Sequence, residues 1–157
     1  MNKQRRSFLR NSMAGSLVAV SVASGLLTPS RVLAGAWPQA AFDSKSVKDA
    51  MMGLLGTEKF EETSQIKLRT PDIAENGSVV PVTVKTKITG VESISVFALE
   101  NARPLAISAD MSAKARPVLA TRIKLGKTSK VVALVRANGK LFGATKTIKV
   151  TLGGCGG

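Results

Sequence analysis

Val131-Val132-Ala133-Leu134-Val135, followed three residues later by Asn138-Gly139, is the stretch that decides what this chain can fold into. Five consecutive apolar residues leave no polar face, so the run reads as a central strand covered on both sides. Asn-Gly accepts positive φ at both central positions of a tight turn, and predicts a hairpin into a partner strand over Leu141 to Leu152. Toward the amino terminus the pattern stays at period two. Leu119, Thr121, Ile123 and Leu125 alternate with Arg122 and Lys124, the mark of one buried and one wet face. Leu105 to Ala109 and Ser93 to Leu99 are further strands, separated by the break at Asn101-Ala102-Arg103-Pro104. Val80, Val82, Val84, Thr86 and Ile88 alternate with Pro81, Thr83, Lys85 and Lys87, and Pro81, which cannot donate to a ladder, predicts that this strand begins at a sheet edge.

Ahead of Ile66 the period changes. Ser46 with Asp49 three residues on reads as a capping box, and Val47, Ala50, Met51, Leu54 and Leu55 recur at helical spacing until Gly56 stops the helix. Met51 and Met52 read as packing residues, since no metal-binding side chains accompany them. Gly35 to Ser44 is a short lead whose bulky feature is Trp37-Pro38. About seven strands with turns at short intervals predict an all-β fold, an immunoglobulin-like antiparallel sandwich with a short N-terminal helix; a small open barrel is the alternative. The organisation expected is a leader over 1–34, the lead and helix over 35–62, the sandwich over 63–152 and a flexible arm over 153–157.

That arm is Gly153-Gly154-Cys155-Gly156-Gly157, and Cys155 is the one cysteine of the chain. Gly-Cys-Gly supplies no neighbour to bury the sulfur against, and termini without packing side chains are the least ordered part of a domain. A lone cysteine is ordinarily a small buried apolar residue. Here its setting predicts an exposed, reactive thiol. Five extended residues reach roughly 15 Å, enough to carry sulfur into a cleft on another protein.

The chain contains no histidine, so no side chain has an unperturbed pKa near neutrality and a Cys-His pair is impossible. The acids are scattered; Asp72 and Glu75, or Glu58, Glu61 and Glu62, read as solvated surface. Nothing in the sequence supplies a blue-copper, haem or iron–sulfur ligand set, and neither cofactor nor metal is expected. Cys155 has no cationic neighbour in sequence to activate it. This reads as a carrier and not an enzyme, with any base or metal supplied by other proteins.

Residues 1–34 form a three-part targeting peptide: a basic start to Arg10, an apolar run from Met13 to Leu27, and Val32-Leu33-Ala34 as a small-residue cleavage site. Arg5-Arg6-Ser7-Phe8-Leu9-Arg10 resembles the twin-arginine signal and predicts export of a folded protein to a bacterial periplasm. The apolar run is too short and polar to remain as a membrane span. Cleavage removes Lys3, Arg5, Arg6, Arg10 and Arg31, which lowers the formal charge from +13 to +8 by leaving 18 basic residues against 10 acidic ones. A surface this basic either keeps exposed strands soluble and unpaired or steers anions and acidic partners. Nucleic acid is disfavoured, because aromatic residues for stacking are few and there is no block of consecutive basic residues.

With Thr121-Arg122-Ile123-Lys124-Leu125-Gly126, Lys146-Thr147-Ile148-Lys149-Val150 and the Gly-Gly-Cys-Gly-Gly end, the chain resembles the SoxY family of the bacterial sulfur-oxidising system. The resemblance implies a heterodimer with SoxZ. It also implies that Cys155 is loaded oxidatively with thiosulfate by the haem protein SoxAX, that SoxB hydrolyses off sulfate, and that SoxCD, where present, oxidises the remaining sulfane sulfur. Two other readings stay open. Gly156-Gly157 fits a carrier whose terminal carboxylate is thiolated, although such proteins work in the cytoplasm; an exported structural sandwich joined by a Cys155–Cys155 disulfide is the other.

Overall fold

The computed structural model describes residues 37–152. The leader (1–34) and the terminal Gly153, Gly154, Cys155, Gly156 and Gly157 lie outside the described residues. Two helices, α1 (Gln39–Asp43) and α2 (Val47–Leu55), precede nine described strands. These are β1 (Glu61–Glu62), β2 (Ile66–Arg69), β3 (Ile73–Asn76), β4 (Val80–Thr86), β5 (Val91–Ala98), β6 (Leu105–Asp110), β7 (Val118–Ile123), β8 (Ser129–Ala137) and β9 (Lys140–Leu152).

The strands form two sheets. The larger runs β1-β9-β8-β5-β6, with β3 also paired to β9, and the smaller runs β2-β4-β7. Side chains alternate across the sheets. Val131, Ala133 and Val135 of β8 therefore point inward with Ile94, Val96 and Ile148 to meet Val80, Val82 and Val84 of the smaller sheet. Val132 and Leu134 point outward, and there they meet Ala41, Ala50, Met51 and Leu55 of the two helices, together with Phe97 and Leu105. The unbroken apolar run follows from that double burial.

The local signals act where the sequence places them. Ser46 caps α2 by accepting a hydrogen bond from the Asp49 N–H (3.3 Å), and the Gly56 N–H donates to the Met52 carbonyl (2.9 Å). Asn138 (φ 52°) and Gly139 (φ 70°) make the turn between β8 and β9, whose ladder runs from Ala137–Lys140 to Ser129–Ile148. The immunoglobulin-like sandwich is as read from the sequence.

Other local expectations are met only in part. The lead contains a helix, α1, whose Ala41 is buried. Pro81 lies at a local edge as expected, although β4 is the middle strand of its sheet, since Val80–Val82 pair with β7 alone. The proline is tolerated there because the pairing with β2 stops at Thr83, so its missing N–H removes no rung on that side. The pairing is also not wholly antiparallel, since β1 and β3 both add to β9 in parallel. Of the two methionines read as packing residues, Met51 is buried and Met52 is 47% exposed.

Candidate functional site

The site read from the sequence hangs from the end of β9, and the structure describes how that end is held. β8 begins at Ser129, so its ladder with β9 runs out at Ile148, four residues before Leu152. Two substitutes take over. The Thr128 hydroxyl accepts the Val150 N–H (3.0 Å), which carries the pairing one step past the end of β8. On the other side, β3 pairs in parallel, Ile73 opposite Lys149, Ala74 opposite Val150 and Asn76 opposite Leu152.

Further bonds close this clamp. The Lys149 N–H donates to the Asp72 carbonyl (2.9 Å), the Thr151 hydroxyl to the Glu75 carbonyl (3.1 Å), and the Gly77 N–H to the Leu152 carbonyl (2.8 Å). The carbonyl of Gly77 in turn accepts the Leu125 N–H (2.7 Å). Asn101 bridges the neighbouring connection, donating to the Lys124 carbonyl (2.7 Å) and accepting the Gly126 N–H (3.1 Å). Lys146 lies between the Asp72 carboxylate and the Thr70 carbonyl, 2.9 and 2.8 Å away. Main-chain pairing therefore continues to Leu152, the last residue before Gly153.

Sequence reasoning missed this clamp. Ile73–Asn76 presents a single buried residue, Ala74, and ends in Asn76-Gly77-Ser78, so it reads as a turn. Of the acids read as solvated surface, Asp72 is exposed and pairs with Lys146, while Glu62 accepts a hydrogen bond from the Thr145 hydroxyl (3.3 Å). Glu58, Glu61 and Glu62 are exposed, and among the described residues no group of three histidine, cysteine or carboxylate side chains could hold a metal ion. No described helix is long and apolar enough to cross a membrane.

Clefts lie elsewhere. One of about 750 Å³ is bordered by Phe60, Glu92, Arg136 and Lys140, at the opposite end of β9 from Leu152. Twelve strand steps separate those ends, roughly 40 Å.

Residues 51–155, more than half of the chain, match the family model for sulfur oxidation protein SoxY, and the matched span takes in Cys155. The chain belongs to the SoxY family. The structure of the sulfur carrier protein SoxY from Chlorobium limicola f thiosulfatophilum is similar to it at 38% sequence identity and a TM-score of 0.60, covering 66% of this chain and 94% of that one. A superoxide reductase (neelaredoxin) from Ignicoccus hospitalis is similar at 21% identity and a TM-score of 0.49, over 65% of this chain and 90% of that one. No curated protein matches the sequence. The matched residues run from α2 through the sandwich and end at Cys155.

Proposed function

We propose that this SoxY-family chain is a covalent sulfur carrier that holds its substrate on Cys155 and presents it to separate enzymes in the periplasm. The observation that carries the reading is the clamp. Pairing persists to Leu152, and the next residues are Gly153-Gly154-Cys155-Gly156-Gly157, so a fixed base meets a segment without bulk. A thiol joined to a firm base by a short connection has a high effective concentration at any active site docked within reach.

In this reading the Cys155 thiol and thiosulfate join through a new sulfur–sulfur bond. One proton and two electrons leave, the electrons passing to the haem of a SoxAX-type partner. The resulting S-thiosulfonate is hydrolysed by a SoxB-type partner, water supplying the oxygen with which sulfate departs, and a persulfide stays on Cys155. A SoxCD-type enzyme, where present, oxidises that sulfur further, and SoxZ is the stable partner subunit. The Arg5-Arg6 leader supports export by the twin-arginine route. Absence of histidine throughout the chain supports the division of labour, since proton transfer is left to the partners.

The test is intact-mass measurement of the protein taken from respiring cells supplied with thiosulfate, beside a Cys155→Ser variant. The expected result is a set of reductant-labile sulfur and sulfonate adducts confined to the terminal peptide and absent from the variant, which should lose thiosulfate oxidation. A bare thiol throughout, or a Cys155→Ser strain that oxidises thiosulfate normally, rejects the carrier role.

A further inference from the structure

We infer that the outer face of the three-stranded β2-β4-β7 sheet is the docking surface for an acidic protein that acts on Cys155; this rests on the carrier reading above. The inward residues of that sheet, Val80, Val82, Val84 and Ile123, are buried. The outward ones are left open. Register sets Lys67 opposite Lys85, Arg69 opposite Thr83, and Arg122 opposite Pro81. Lys87 and Arg116 extend the same basic field at the far end of the sheet. All six basic residues are exposed, and none takes part in the ion pairs of the described residues, which are Arg103–Asp43, Lys127–Glu100 and Lys146–Asp72.

No acid interrupts this field, since residues 65–70, 79–88 and 116–126 contain no aspartate or glutamate. Like charges directly opposite across a ladder destabilise a sheet, so the Lys67–Lys85 pair is a cost to the fold. Edge protection explains lysines on outer strands but not Lys85, which is on the middle one. An external anionic surface removes the repulsion and accounts for both.

The chemistry of the face selects the kind of partner. Between the charges lie Pro81, Thr83, Val118 and Ala120, with no aromatic ring to stack on a base and no long apolar side chain to enter a bilayer. Carboxylates of another protein fit. The backbone face measures roughly 20 by 10 Å, below what a stable interface covers on one partner and suited to a transient encounter steered by charge.

Position ties the face to the thiol. Leu152 is bonded to Gly77 and Gly77 to Leu125, three residues beyond Arg122. A partner seated on this sheet therefore lies beside the exit of β9, from which the three residues to Cys155 can extend roughly 10 Å.

The experiment uses the full chain with its partner subunit and the haem-containing loading enzyme, following the thiosulfate adduct on Cys155 by intact mass. The charge-reversed variant carries Lys67→Glu, Arg69→Glu and Arg122→Glu; the first of these places a carboxylate opposite Lys85, and circular dichroism and Tm check the fold. At low salt the variant is expected to load about tenfold more slowly than wild type. That gap should narrow above about 0.15 M salt as screening takes hold. Lys45→Glu with Lys48→Glu, on the helical side of the sandwich, should load at the wild-type rate. Equal loading of the charge-reversed variant and wild type overturns the docking face while leaving the carrier role intact, and so does an equal loss in the helical-side variant. Sedimentation of wild type but not the charge-reversed variant with phosphatidylglycerol vesicles, at unchanged loading, also overturns it in favour of a lipid surface. Normal thiosulfate turnover by Cys155→Ser sinks both this proposal and the reading beneath it.

Discussion

Gly139 illustrates a residue whose role is conformational. Its φ of 70° belongs to the left-handed region, and a Cβ built there would meet nothing within 4 Å, so an alanine would be opposed by the backbone alone. Gly139→Ala is expected to lower unfolding free energy by about 1–2 kcal/mol, read as a shifted urea midpoint at unchanged slope. Loading of Cys155 should not change, because the turn lies at the far end of β9 from Leu152. A variant as stable as wild type would show that the turn relaxes to another type. Asn138, at φ 52°, tolerates the same region because its side chain is anchored, donating to the Thr89 carbonyl (3.0 Å). Cys155 is read from its neighbours alone, glycines on both sides, and lies outside the described residues.

Elements were legible in proportion to how strongly their own residues are patterned. β4, with Val80, Val82 and Val84 all inward, and β8, apolar throughout, declare themselves because each buries several side chains. β1 and β3 do not; they bury one residue between them, Ala74, and exist because β9 offers them the edge that faces away from β8. Their parallel attachment is a tertiary fact that no window of their own sequence contains. α1 escaped for a similar reason, being five residues long with a single buried side chain and no side-chain cap. The helical cover also places a demand on β8 that can be measured. Leu134 is fully buried beneath it, and Arg136, two residues on, donates from its guanidinium to the Leu55 carbonyl at the end of α2. Leu134→Ala should cost about 2–5 kcal/mol through lost apolar contact and the cavity left behind. Faster hydrogen exchange in α2 than in β4 would then localise the damage to the outer layer. Uniform loss across both sheets would mean that the helices and the sandwich unfold as one unit.

At the scale of the whole molecule, the bonds that hold β9 end at Leu152 while the proposed attachment site is Cys155, so stability and delivery should respond independently to one change. Inserting Gly-Ser-Gly-Ser-Gly between Leu152 and Gly153 adds chain after the last bond to Gly77, so Tm should stay at the wild-type value. The insertion lengthens the connection from Leu152 to Cys155 from three residues to eight, which costs about 0.9 kcal/mol of closure entropy. Loading of Cys155, timed by intact mass, should therefore slow by no more than about fivefold. Proline in place of the inserted residues would stiffen the segment and aim it in one direction, and loading should then fall further than length alone predicts. If the glycine-serine insertion instead abolished loading, the segment would be read by its partners in a fixed register measured from Leu152, and the picture of a tether would give way to that of a docked peptide.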